Sequence, residues 1–347
     1  MSSHALFPPS RTRGVSRGAI FFWGVAGMLL AGLGYLLFSG GAIAWQRPKA
    51  SKLTLADIPF NGQRAYEHLQ AICDIGPRIS ATQGMFKQQQ YLRAHFEKLG
   101  GQVSLQEFPV RHPDNGARVM LANMIVQWHP EKKERIMLCC HYDTRPYPDN
   151  DPDPRKRKGT FIGANDGASG VALLCEMAEH MQGLKCPYGI DFVLFDAEEF
   201  IFDSNRDPFF LGSEHFARQY VAEPPPHRYR CGILVDMIGD KDLQIYREPN
   251  SLRTRQTQAL VNDIWTTARS LGVREFIPQT RMEEIRDDHL ALNSIARIPA
   301  INIIDFDYPR ARGQTYWHTT QDVPENCSAL SLAKVGWVLK EWLERVK

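Results

Sequence analysis

Three apolar runs in this chain each stop abruptly at residues that carry charge or exchange protons. Ile136-Met137-Leu138-Cys139-Cys140 leads into His141-Tyr142-Asp143. Asp191-Phe192-Val193-Leu194-Phe195 leads into Asp196-Ala197-Glu198-Glu199, and Gly232-Ile233-Leu234-Val235 ends on Asp236. Short continuous apolar runs of this kind belong to strands buried on both faces. Helical patterns separate them. One follows Asp166-Gly167, with Val171, Leu174, Ala178 and Met181 as its apolar stripe. Others cover 252–271 and the region near 288–296, before a strand at Pro299–Ile304. A C-terminal helix carries Val335, Val338, Trp342 and Val346. Earlier, a helix from Thr82 to Leu99 is stopped by Gly100-Gly101, and strand-like runs follow at 102–110, 117–128 and 135–141. The first two of these have no helix between them, so part of the sheet is expected to be antiparallel. The fold class is therefore α/β: a single domain with a central mixed, mostly parallel twisted sheet flanked by helices.

The chain has 347 residues, 43% of them hydrophobic and 23% charged, which supports one large core and excludes a disordered chain. Lys plus Arg is 41 and Asp plus Glu is 39, a net charge of +2 that gives no basis for nucleic-acid binding. The charge is unevenly spread. Arg11, Arg13 and Arg17 precede the first acid, Asp57, and Ala19 to Phe38 carries no charge at all. Such a run spans about 30 Å as a helix, the hydrocarbon thickness of a bilayer, and has no polar face. The preceding arginines leave the N-terminus in the cytosol. The expected organisation is a basic cytosolic tail at 1–18, a transmembrane signal anchor at 19–40, a linker at 41–59 and a catalytic domain at 60–347. The competing reading is a signal peptide cleaved after Ala44, which would release the domain. Both put the domain outside the cytosol, on a periplasmic, extracellular or secretory-lumen side. The seven cysteines are an odd number without a CxxC pair. Most read as small core residues, and a disulfide from Cys139 or Cys140 stays open. The Arg155-Lys156-Arg157-Lys158 run reads as a solvated loop offset by nearby aspartates.

Ligands of open α/β sheets bind beyond the carboxyl ends of the strands. His141, Glu198, Glu199 and Asp236 should thus meet at one rim. Asp166 joins them from the loop that opens a helix, and His318 from the Tyr316–Thr320 loop. Singly, each has an ordinary explanation: Asp166 can cap its helix, and a lone His is more often a hydrogen-bonded structural residue. Together they suit zinc, which takes imidazole and carboxylate ligands at about 2.0–2.2 Å and keeps an open position when catalytic. Of the adjacent Glu198 and Glu199, one can bind metal while the other serves as a base.

The set Gly76-Pro77-Arg78, His141-Tyr142-Asp143, Gly163-Ala164-Asn165-Asp166-Gly167, Asp196-Ala197-Glu198-Glu199, Val235-Asp236-Met237-Ile238-Gly239 and Trp317-His318-Thr319 resembles the zinc aminopeptidase superfamily with its glutaminyl cyclase branch. The resemblance covers roughly residues 60–347. It implies one of two activities. The aminopeptidase branch holds two zinc ions, here through His141, Asp166, Glu199, Asp236 and His318. The cyclase branch holds one Zn2+ per chain, through Asp166, Glu199 and His318. It is marked by an Asp-Asp-His run, here Asp287-Asp288-His289, and by a Trp before the last ligand, here Trp317. Both marks favour a glutaminyl-peptide cyclotransferase acting on peptide or protein N-termini that begin with Gln, or in the wider reading Glu. By resemblance, Glu198 is the general base and acid, and Asp287 and Asp236 share its proton. Asp236 also receives the substrate amine, and Trp317 stacks on the amide. His141, Asp143 and His289 support these residues from behind. A membrane-anchored homologue with an inactive site is the third expectation. One departure from the family concerns Phe200 to Asn205, where cyclases commonly carry a Trp; another is the longer stretch at 308–313.

Overall fold

The computed structural model describes residues 50–310 and 313–347. The expected tail, the anchor at 19–40 and the linker up to residue 49 lie outside them. Among the described residues no helix is long and apolar enough to cross a membrane. The second half of the expected linker lies against the domain: Ile58 is buried, and Ser51 donates through its N–H and hydroxyl to Glu275 Oε1 at 3.0 and 2.9 Å.

Two helices come first, α1 (Gly62–Asp74) and α2 (Gln83–Lys98), the second preceded by Thr82 as expected. Strands β1 (Gln102–Arg111), β2 (Arg118–Trp128) and β3 (Glu134–His141) follow. Then come α3 (Ala168–Ala178), β4 (Gly189–Phe195), α4 (Leu211–Ala222) and β5 (Arg228–Asp236). A short β6 (Ile245–Arg247), α5 (Arg255–Ser270), β7 (Phe276–Thr280), α6 (His289–Ser294), β8 (Ala300–Ile304) and α7 (Ala329–Arg345) complete the order.

The main sheet is six-stranded in the order β1-β2-β4-β3-β5-β8. β1 and β2 are antiparallel, β2 runs antiparallel to β4, and the four strands from β4 to β8 are parallel. The mixed sheet expected from the sequence is thus present. Its parallel part is covered on both faces. Along β3, Ile136, Leu138 and Cys140 enter the larger core under α1, α2, α3, α5 and α7, while Met137 and Cys139 enter a second core under α4 and α6. This alternation is the period of two that a strand imposes. It also sends Cys139 and Cys140 to opposite sides, and all seven cysteines are free thiols. Helix α3 departs from the stripe read in its sequence: all 11 of its residues are buried, because it is walled in by neighbouring helices as well as the sheet.

Candidate metal and catalytic site

The ends of the parallel strands are level. His141 pairs with Phe195, Cys139 with Leu234, and Asp236 with Ile304. The chain leaves β3 toward β4 on one side and leaves β5 toward β8 on the other, so a crevice opens between β3 and β5. The residues beyond each strand end are bent into it. Ala197, Met237 and His318 all have left-handed backbones, with φ of 56°, 49° and 54°. Such conformations cost about 1–2 kcal/mol each in a residue with a side chain. Here they turn the chain sharply as it leaves β4 and β5 and, at His318, within its loop.

Two buried aspartates hold the loops in place. Asp143 accepts from the N–H groups of Glu198 (3.1 Å) and Glu199 (3.0 Å) and lies 3.6 Å from His141 Nδ1. Asp322 accepts from the N–H groups of Asn165 (2.7 Å) and Asp166 (3.1 Å). Gly167, at φ +92°, passes so close to Asp143 that a Cβ would lie 2.6 Å from its carbonyl oxygen. Only glycine lets the Asp166 turn pack there.

Asp166, Glu199 and His318 present ligand atoms that all lie within 4.8 Å of one another. His318 Nε2 is 3.3 Å from Asp166 Oδ2 and closer still to Glu199 Oε1. Yet Asp166 Oδ2, Glu199 Oε2 and His318 Nε2 are buried without an aligned hydrogen-bond partner. A buried polar atom left unsatisfied costs about 1–3 kcal/mol. Three of them converging from separate loops fit a divalent cation, and one nitrogen with two carboxylates is a zinc donor set. The charges are arranged accordingly. Burial pushes the Asp166 carboxyl up, but His141 and His318 outweigh it and hold the group far below the usual range. Burial pushes His318 down, and Glu199 with Asp166 reverses this to bring it to about 9.

His141 lies beside Asp143 and also reaches forward: its Nε2 lies 3.1 Å from Asp166 Oδ1 and 3.3 Å from Asp236 Oδ1. His141, Asp166 and Asp236 thus form a second group of the right size for a cation.

A cavity of about 300 Å³ opens in front, lined by Glu198, Asp236, Asp287, Phe209, Phe210 and Trp317 among others. Burial, then the neighbouring Glu199, pushes Glu198 well above the ordinary carboxylate range. Burial and Asp236 bring Asp287 to about 7, while Asn302 Nδ2 donates to it at 2.6 Å. Trp317 packs on His318 with ring centroids 3.9 Å apart and on Phe306 at 5.0 Å. His289 is fully buried behind the cavity, its Nε2 3.4 Å from Glu248 Oε2. Phe209 and Phe210 were not anticipated. They line the pocket a few residues beyond the stretch where a Trp was missed, and their side-by-side aromatic character was the available signal.

Arg145 was also not anticipated. It is almost fully buried and grips Asp149 with Nε and Nη2 at 2.7 and 2.8 Å. Its Nη1 lies 3.8 Å from Glu199 Oε1, and Asp149 in turn lies 3.8 Å from His318 Nδ1. One guanidinium thus stands behind two of the three converging side chains.

An α/β fold with His and carboxylate ligands gathered at the strand ends defines an enzyme of the zinc-exopeptidase kind. Residues 123–343 match peptidase family M28, and the chain belongs to that family. It is similar to the solved glutaminyl cyclase of Fimbriiglobus ruber, at 39% identity with a TM-score of 0.78, over 87% of this chain and 100% of that one. It is similar to a solved Zn-dependent exopeptidase of Parabacteroides distasonis, at 33% identity and a TM-score of 0.75, over 83% and 99%. A glutaminyl-peptide cyclotransferase of Bothrops jararaca is 22% identical over 76% of each chain.

Proposed function

We propose that this chain is a glutaminyl-peptide cyclotransferase, converting N-terminal Gln of peptides or proteins to pyroglutamate with release of ammonia. The observation that carries the reading is the cavity itself. Trp317 packs against His318 with the rings tilted by 32°, and Glu198 and Asp287 face the same space with carboxyl groups that burial keeps ready to hold a proton. Likeness to solved and curated glutaminyl cyclases supports it.

Asp166, Glu199 and His318 would hold the metal, one Zn2+ per chain. When bound, zinc supplies a Lewis acid that polarises the γ-amide carbonyl of the substrate. Trp317 stacks beside that amide and fixes its approach. Asp236 receives the α-amine, and Glu198 takes a proton from it as the nitrogen attacks the side-chain carbonyl carbon. The bond to the amide nitrogen breaks, and Glu198 returns the proton to the departing ammonia. Asp287 and Asp236 share the acidic field around Glu198, so the cluster holds one proton without charging every member. Both reacting groups belong to one residue, and holding it folded supplies much of the rate.

Incubation with a Gln-initiated peptide tests the proposal. The expected product is lighter by one ammonia, with every residue retained; release of the first amino acid would instead identify an aminopeptidase. That second reading is favoured by one observation, the additional His141–Asp166–Asp236 group. Metal analysis of the wild type and Asp236→Asn separates the two: an unchanged zinc content supports the cyclase, and loss of one zinc per chain the aminopeptidase. For location, we propose a cytosolic N-terminus with the catalytic domain beyond the membrane, supported by the uncharged run at 19–38 behind three arginines.

A further inference from the structure

The seam between α1, α2 and α3 is lined by aliphatic and aromatic side chains such as Leu69, Leu92 and Phe96, and is interrupted by the Arg64–Glu176 ion pair and by a second polar cluster. There His68 of α1, Tyr91 and His95 of α2, and Cys175 of α3 come together. Tyr91 and His95 are four residues apart and so share a face of their helix. The His68 and His95 rings meet edge to face with centroids 4.5 Å apart. One nitrogen of each ring and Cys175 Sγ all lie within 4.8 Å of one another. Apolar side chains would fill this seam without the cost of burying polar groups.

Both imidazoles are oriented by a hydrogen bond through one nitrogen, as metal-binding histidines are. His95 Nε2 lies 2.9 Å from the Cys175 carbonyl oxygen. A carbonyl only accepts, so Nε2 carries the proton and Nδ1 keeps its lone pair. His68 Nδ1 lies 2.6 Å from the Tyr91 hydroxyl. When it donates there, Nε2 keeps a lone pair as well. Burial, then His95, pushes His68 down to about 4, so it is neutral at ordinary pH. Both histidines are half-buried, which leaves the seam open to solvent, while Cys175 is fully buried.

We propose that His68, His95 and Cys175 form a second cation site, for a thiophilic transition ion of the zinc class, that clips α1, α2 and α3 together. Two imidazoles and a thiolate suit such an ion and leave one tetrahedral position open. The thiol proton leaves as the ion binds, so affinity rises with pH. The site is separate from the rim of the sheet, since Cys175 lies about 10 Å along α3 from that helix's N-terminal end.

Titration with Co2+ of the full chain, stripped of metal by a chelator that is then removed, tests this, because zinc would hold the site against the weaker-binding cobalt. None of Asp166, Glu199 and His318 has sulfur, so a thiolate-to-cobalt charge-transfer band reports a cysteine ligand. The expected result is a band that saturates by two equivalents, as both sites fill, vanishes in Cys175→Ser, and needs at least tenfold more Co2+ in His68→Gln and in His95→Gln. Activity on the Gln peptide should stay within twofold in His68→Gln, whose half-exposed position tolerates the change. Absence of the band, or wild-type midpoints in both histidine variants, would overturn the site whatever the substrate of the enzyme proves to be.

Discussion

At the scale of single residues, adjacent glutamates are given different work by their surroundings. Both line the substrate cavity, but Glu199 also comes together with Asp166 and His318, a group from which Glu198 is absent. Glu199→Gln is expected to lose zinc and activity together. Glu198→Gln should keep its zinc and lose about 10²–10⁴ in kcat, the usual worth of a general base. Metal analysis of both variants checks the assignment, and equal metal loss would refute it. Arg145 is not among the residues that line the cavity, yet it grips Asp149 and faces Glu199. Arg145→Gln should weaken zinc binding about 10–100-fold, as removal of the groups that orient ligands does. Arg145→Lys keeps the charge but not the two-pronged grip on Asp149, so it should recover only part of the loss. Chelator competition gives the zinc Kd directly. A wild-type Kd in Arg145→Gln would show that the arginine only fills space.

Elements differ in how visible they were before folding. The parallel strands could be read because burial on both faces leaves continuous apolar runs. Helix α4 could not: its buried face is Gly212, Ser213, Phe216 and Ala217, which makes no apolar stripe. β6 and β7 are too short and irregular to carry a period. The site divides in the same way. Asp166, Glu198, Glu199, Asp236 and His318 were legible because they stand where strands and loops end. Arg145, Glu248 and Asp322 were not, because a charge inside a polar loop looks solvated until the loop is seen folded. Glu248 shows what such a residue does. It accepts the N–H groups of Asn250 (2.8 Å), Ser251 (2.7 Å) and Ile285 (3.2 Å), tying the segment after β6 to the one that delivers Asp287. Burial pushes its carboxyl up, but His289 and these N–H groups bring it down to about 2. The folded pKa lies below the usual 4.5, so this stabilisation is complete above about 4.5 and drains away as pH falls toward 2. Glu248→Gln should cost about 3 kcal/mol at neutral pH, the scale of a broken buried pair. Urea unfolding should show its gap from wild type narrowing between pH 4.5 and 3. A gap constant with pH would mean that the ionised carboxylate is not what stabilises this region.

For the whole molecule, the metal is where charge, fold and activity meet. The strands are tied by backbone ladders, but the loops beyond them converge on a cluster whose carboxylates and imidazoles satisfy one another poorly. A cation that binds only the folded state stabilises it by mass action, so chelation should lower Tm and restoring zinc should raise it. The same cluster sets how that binding depends on pH. Without metal, Glu199 and Asp166 keep His318 protonated up to about 9, whereas a ligating imidazole must be neutral. Below that pH each bound zinc must displace at least this proton. Zinc Kd should therefore weaken by about tenfold for each unit that pH falls between 8 and 6, and more steeply if His141, also raised by its carboxylate neighbours, is displaced as well. Competition with a chelator of known proton affinity measures the slope. A flat profile would mean that His318 enters the site already neutral, and that the acidic cluster does not exert the field its geometry requires.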